Sequence, residues 1–155
     1  MTPTAAGYRV LAAMTVSVLL LAGCGTPEPT AVLTAPPPFP GSEGATAWSD
    51  AGTPPAHLGP QGDGFASARD LLAAAVEDIR AGRDAQAPDV TAHLLGDDGQ
   101  GGAIAVVYVV GSLDDSVAGD EAQLSMRPGE DGRWRLLAAR MRTHCRRGVS
   151  EGLCL

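Results

Sequence analysis

The side chains able to do chemistry fall into a few short stretches. Three acidic pairs, Asp97-Asp98, Asp114-Asp115 and Asp120-Glu121, offer the carboxylate oxygens that hold a hard cation. None follows the alternating Asp/Asn pattern of a calcium loop. The first two pairs lie in turn sequence, where Asp is favoured for its own backbone bonding. His57, His93 and His144 are scattered; His93 and His144 could meet across a sheet, but two imidazoles alone do not complete a metal site. Gly96 to Gly102 is Gly-rich yet lacks the Lys-Ser/Thr of a phosphate-binding loop. Ser112, Ser116 and Ser125 have neither an elbow motif nor evident triad partners. The residues therefore predict no catalytic set, no metal and no cofactor.

The cationic side chains are more unevenly placed. Segment 133–147 holds Arg133, Arg135, Arg140, Arg142, Arg146 and Arg147 and no acid, in a chain of net charge −7 whose eleven basic residues are all Arg. Such a run suits a phosphate, an anionic polymer or an acidic partner, or else a strand face paired with acids on neighbouring strands. The acidic balance argues against general nucleic-acid binding.

The amino terminus supplies an address. Met1 to Arg9 carries one charged side chain, and Val10 to Leu21 is a twelve-residue run without charge. That run is too short to span a bilayer, which takes ~20 apolar residues, and fits the apolar region of a signal peptide. It ends Leu21-Ala22-Gly23-Cys24, which resembles the lipobox of bacterial lipoproteins. The resemblance implies a signal peptide over 1–23, a diacylglyceryl group on the Cys24 thiol and cleavage before Cys24. It implies membrane lipid as a partner and an extracytoplasmic location. More than one acyl chain is needed to hold a protein stably on a membrane. Ordinary secretion or an uncleaved anchor are the rival readings.

With Cys24 assigned to lipid, Cys145 and Cys154 form an even pair in an oxidising compartment, which predicts a disulfide. Closing that ten-residue segment is worth roughly 2.5–3 kcal/mol by loop entropy. A reactive thiol and a two-Cys metal site are the alternatives; neither has a His/Cys cluster at ligand spacing nearby. Arg146 and Arg147 fall inside the loop and are the candidate contact for an anionic partner.

The rest of the chain divides simply. Residues 24–63 include nine prolines between Gly25 and Asp63 and read as a disordered tether. Its reach would be roughly 120 Å extended, or about 35 Å as a coil. Phe39 and Trp48 are the side chains in it able to dock, Trp48 the better candidate. Residues 64–155 read as a small α+β domain. Apolar spacing predicts a helix over Phe65–Ala81, with Ser67-x-x-Asp70 as a capping box, Asp63 as a rival cap and Phe65, Leu72, Ala75, Val76 and Ile79 inward. Four strands follow: Val90–Leu95, Ala103–Val110, Glu121–Arg127 and Arg133–His144. Ala103–Val110 is apolar on both alternations, the mark of a strand covered on both faces. The apolar phase changes along the last strand, which predicts a bulge or bend near Leu137–Ala139.

One helix and a four-stranded antiparallel meander resembles the cystatin-like and NTF2-like α+β folds over residues 65–145. Gly132-Arg133-Trp134-Arg135-Leu136 is similar to the late strands of secreted NTF2-like domains. One helix covers one sheet face. The other needs a homodimer, an envelope protein, the docked tether, or Arg stems with the C-terminal segment. The expected function is a lipid-anchored, non-enzymatic binding or accessory protein of the cell envelope. The alternative is an NTF2-like ligand carrier or enzyme, for which a polar cavity beneath the helix is the requirement.

Overall fold

The structure, a computed structural model, describes residues 33–82, 89–111 and 114–155. In chain order its elements are β1 (Gly44–Ala45), β2 (Ser49–Asp50), α1 (Ala68–Ala81), β3 (Asp89–Asp97), β4 (Ala103–Val110), β5 (Val117–Pro128), β6 (Trp134–Cys145), β7 (Val149–Ser150) and β8 (Leu153–Cys154). The fold is α+β. Strands β3 to β6 form the antiparallel meander that the sequence predicts, in the order β6-β5-β4-β3.

The helix starts where a serine can satisfy its first amides. Ser67 is extended, and its Oγ accepts from the Asp70 amide at 3.1 Å while donating to the Asp70 carboxylate at 2.8 Å. Asp63 does not cap; its carbonyl instead accepts from Arg133 Nε at 2.6 Å. Leu71, Leu72, Ala75 and Val76 are buried against Ala105, Val107, Val109, Leu124 and Met126. Leu71 is wholly buried although it lies beside the stripe read from spacing; Phe65 and Ile79 are only partly buried. Each fully buried Leu, Val or Met side chain among them contributes ~1.5–3 kcal/mol by leaving water.

Two extra residues tune β5 and β6. Ser125 pairs with Ala138 and Met126 with Leu136, so Leu137 is the bulged residue, within the stretch where the phase change predicted one. This returns Leu136 to the helix side and leaves Leu137 exposed. Ala118 is a second bulge, between Val117 and Gly119. Gly119 has φ +152°, and a Cβ there would collide with the Val109 carbonyl and lie 2.8 Å from the Phe39 ring. Only glycine lets the strands close so tightly.

The four-stranded sheet is corrected to six strands, because β1 and β2 both pair with β6. They come from the stretch read as tether, so the helix is not the first element either. The expected disorder is corrected for residues 33–63. Proline removes ladder donors but does not stop a chain from docking edge-on or through a single aromatic side chain. Residues 24–32 lie outside the described residues. Leu58 seals the helix-side core: it is 2% exposed, and its carbonyl accepts from the Leu136 amide at 2.8 Å.

Candidate functional site

The second sheet face is where chemistry collects. Val106 and Tyr108 of β4 point to it, joined by Leu95 of β3 and Ala118 of β5. Residues 34–40 cross this face as a strap. The Thr34 amide donates to the Leu95 carbonyl at 2.8 Å, and the Tyr108 hydroxyl donates to the Pro37 carbonyl at 2.7 Å. Phe39, 7% exposed, closes the small core; its ring lies 5.0 Å from that of Tyr108. Burial, then the charge of Glu121 nearby, pushes the Tyr108 hydroxyl pKa up.

Beyond Phe39 lies the buried charged cluster. The His144 ring stacks on Phe39 with centroids 4.0 Å apart and planes within 7°. Its Nε2 is 2.7 Å from Glu121 Oε2, and its Nδ1 is 2.9 Å from Ser42 Oγ. Arg142 donates through Nε at 2.7 Å to the same carboxylate oxygen, and its Nη2 lies 2.6 Å away. Glu121 is 2% exposed and His144 6%. Cross-strand register makes this cluster: Glu121 is opposite Arg142, and Gln123 is opposite Arg140, whose Nε donates to the Gln123 amide oxygen at 2.6 Å.

Serine, imidazole and carboxylate in one line have the composition of a nucleophile triad, but the setting differs. The Ser42 hydroxyl donates to the Gly44 carbonyl at 2.8 Å and accepts from the Gly44 amide at 3.3 Å, within its own turn. The Glu121 carboxylate is shared with a guanidinium. What the arrangement does physically is fasten the strap. From there the chain runs along β6, with amides of Glu43, Thr46 and Ala51 donating to the carbonyls of Cys145, Thr143 and Ala139. Trp48 lies under both Arg140 and Arg142, at 4.7 and 4.5 Å. It borders an open groove of about 340 Å³ shared with Asp50, Gln123 and Ser125.

The predicted site residues are placed as follows. Cys24 and the motif Leu21, Ala22 and Gly23 lie outside the described residues. Cys145 and Cys154 form a disulfide, with Cα atoms 5.1 Å apart. Arg146 and Arg147 are exposed on that loop: Arg146 Nε donates to the Val117 carbonyl at 3.1 Å, and Arg147 pairs with Asp115 at 3.0 Å. Leu153 and Leu155 beside them are 73% and 57% exposed.

The remaining Arg residues of 133–147 divide by partner. Arg135 pairs with Asp131 at 2.8 Å, and that guanidinium holds the Asp131 carboxyl well below the usual carboxylate range. Arg133 binds the carbonyls of Asp63 and Gly64.

The acidic pairs serve turns and strands. Asp98 accepts from the amides of Gln100 and Gly102, which depress its pKa, and Asp114 is depressed likewise by the amide and hydroxyl of Ser116. Asp120 accepts from Thr143 Oγ1 at 3.0 Å. His57 pairs with Asp78 at the surface. His93 packs near Tyr108, while His144 faces Phe39, Ser42 and Glu121. Ser112 lies outside the described residues. Among the described residues no group of three or more His, Cys, Asp or Glu is placed to hold a metal ion, and no helix is long and apolar enough to cross a membrane.

Sequence reasoning missed Ser42 and the joint role of Glu121, Arg142 and His144. The polar phases of β5 and β6 carried a signal for the last three. Nothing marks Ser42, 102 residues from His144.

No known protein family, curated protein or solved structure matches the chain significantly.

Proposed function

We propose that this protein is a lipid-anchored, extracytoplasmic binding or accessory module of the cell envelope, fastened through Cys24. The observation that carries the reading is the Cys145–Cys154 disulfide, a bond that persists in oxidising compartments outside the cytoplasm. It agrees in address with the N-terminal sequence that resembles a lipobox. A surface role is favoured over an interior ligand site by the packing. The space between helix and sheet is filled by Leu71, Leu72, Val76, Val107, Leu124 and Met126, all apolar. The buried Glu121 and His144 lie on the opposite face and are spent on the strap.

The contact surface proposed is the disulfide-closed end, where Arg146 and Arg147 stand beside exposed Leu153 and Leu155. That mixture suits an acidic protein partner with an apolar centre. Fractionation of cells making the full chain tests the address. The wild type is expected with membranes and Cys24→Ala displaced from that state. Equal distribution of the two forms would reject the anchor.

A further inference from the structure

We infer that the docked strap is a reach-setting device that keeps the domain close to the membrane, an inference that rests on lipidation at Cys24. Read from composition alone, Gly25 to Asp63 is a tether of thirty-nine residues. The structure pins the chain from Thr34 onward. The Thr34 amide is bonded to Leu95, Pro37 is held by Tyr108, Phe39 is buried, and Ser42 sits on His144. Nine residues, Gly25 to Leu33, separate Cys24 from Thr34 in the sequence. Ten residue steps from Cys24 to Thr34 span at most about 35 Å, against the roughly 120 Å the whole Pro-rich stretch would reach.

The pin also selects which end of the domain is near the leaflet. Leu95 lies at the end of the sheet that carries the 98–102 turn, and Cys145 lies at the other end, with the C-terminal hairpin β7–β8 following it. The strap therefore ties the 98–102 end to the anchor and directs the Arg146–Arg147 loop away from it. A partner bound by that loop is met on the side of the domain away from its own lipid. Undocking residues 34–51 would raise the number of residues between Cys24 and the first pinned residue from nine to twenty-seven.

The test uses the full lipidated chain in phosphatidylcholine vesicles carrying headgroup-labelled acceptor lipids. A donor dye is placed by an unnatural amino acid at Gln100 or at Ser150, both exposed. The expected result is efficient transfer from Gln100, weaker transfer from Ser150, and loss of the Gln100 signal when a Gly/Ser insertion doubles the segment between Gly25 and Leu33. Phe39→Ala combined with Tyr108→Phe is expected to lower the Gln100 signal without any insertion. Vesicle-bound protein whose Gln100 transfer is weak and indifferent to the insertion overturns the reach inference and leaves the lipoprotein reading standing. Protein that carries no lipid and does not bind vesicles overturns both.

Discussion

His144 Nε2 lies 2.7 Å from Glu121 Oε2, and both side chains are almost wholly removed from solvent. The carboxylate also accepts from Arg142, so its removal strands two donors at once. Breaking one side of a buried charged contact costs about 3–5 kcal/mol. Glu121→Ala is therefore expected to lower the urea-unfolding free energy by that order, and Glu121→Gln by less, because an acceptor is retained. A loss below about 1 kcal/mol for Glu121→Ala would show that this contact does not hold the sheet to the strap.

Phe39 is the apolar half of the same fastening. Phe→Ala in a packed site costs roughly 3–5 kcal/mol, and here it also removes the ring on which His144 stacks. Phe39→Ala is expected to speed amide hydrogen exchange at Glu43, Thr46 and Ala51, which bond to β6, before it affects β4. Uniform acceleration across all strands would mean that the strap is no separate unit.

Much of this molecule is legible in its sequence, and the reasons are local. Ser67 as cap, the both-faces-apolar β4 and the bulge at Leu137 each follow from spacing within a few residues. The strap does not. Its proline content reads as disorder, and whether Phe39 or Trp48 docks depends on a cavity made by Val106, Tyr108 and Ala118, 58 to 79 residues away along the chain. Trp48, the better candidate by composition, stays half-exposed beneath two guanidiniums, and Phe39 takes the cavity. The Glu121–Arg142 pair needs the register, which the bulges at Ala118 and Leu137 shift.

The disulfide closes a short segment onto the end of β6. Its loss by Cys154→Ser combined with Cys145→Ser is expected to cost roughly 2.5–3 kcal/mol, read by thermal or urea unfolding under oxidising conditions. The double variant should match the reduced wild type. A variant as stable as the oxidised protein would remove the cystine from the account of stability.

Acid should weaken the fold through its turns. Asp98, Asp114 and Asp131 have pKa values below those of free carboxylates: the first two through bonds to nearby amides, the third through Arg135. The unfolded chain then binds more protons than the folded one as pH falls, so stability present above about pH 4 drains below it. The triple variant Asp98→Asn, Asp114→Asn, Asp131→Asn is expected to show a shallower fall in melting temperature between neutral and strongly acid pH. An unchanged slope would mean these turns do not set the acid limit. At the alkaline end the sign reverses in the same logic. Tyr108 ionises less readily in the fold, so stability is full below about pH 10 and falls above it, a fall that Tyr108→Phe should reduce.

The proposed contact surface has its own test. Arg146→Glu with Arg147→Glu reverses charge at exposed positions and is expected to leave melting behaviour within about 0.5 kcal/mol of the wild type. In-cell crosslinking followed by mass spectrometry should lose the partners that the wild type captures. Identical partner sets for both forms would move the interface elsewhere.

The most direct measurement is the intact mass of the protein extracted from membranes with detergent. The account predicts a chain that begins at Cys24, carries a thioether-linked diacylglyceryl group on that residue and retains one disulfide. A chain that retains Met1, or one that begins at Cys24 with an unmodified thiol, would contradict it.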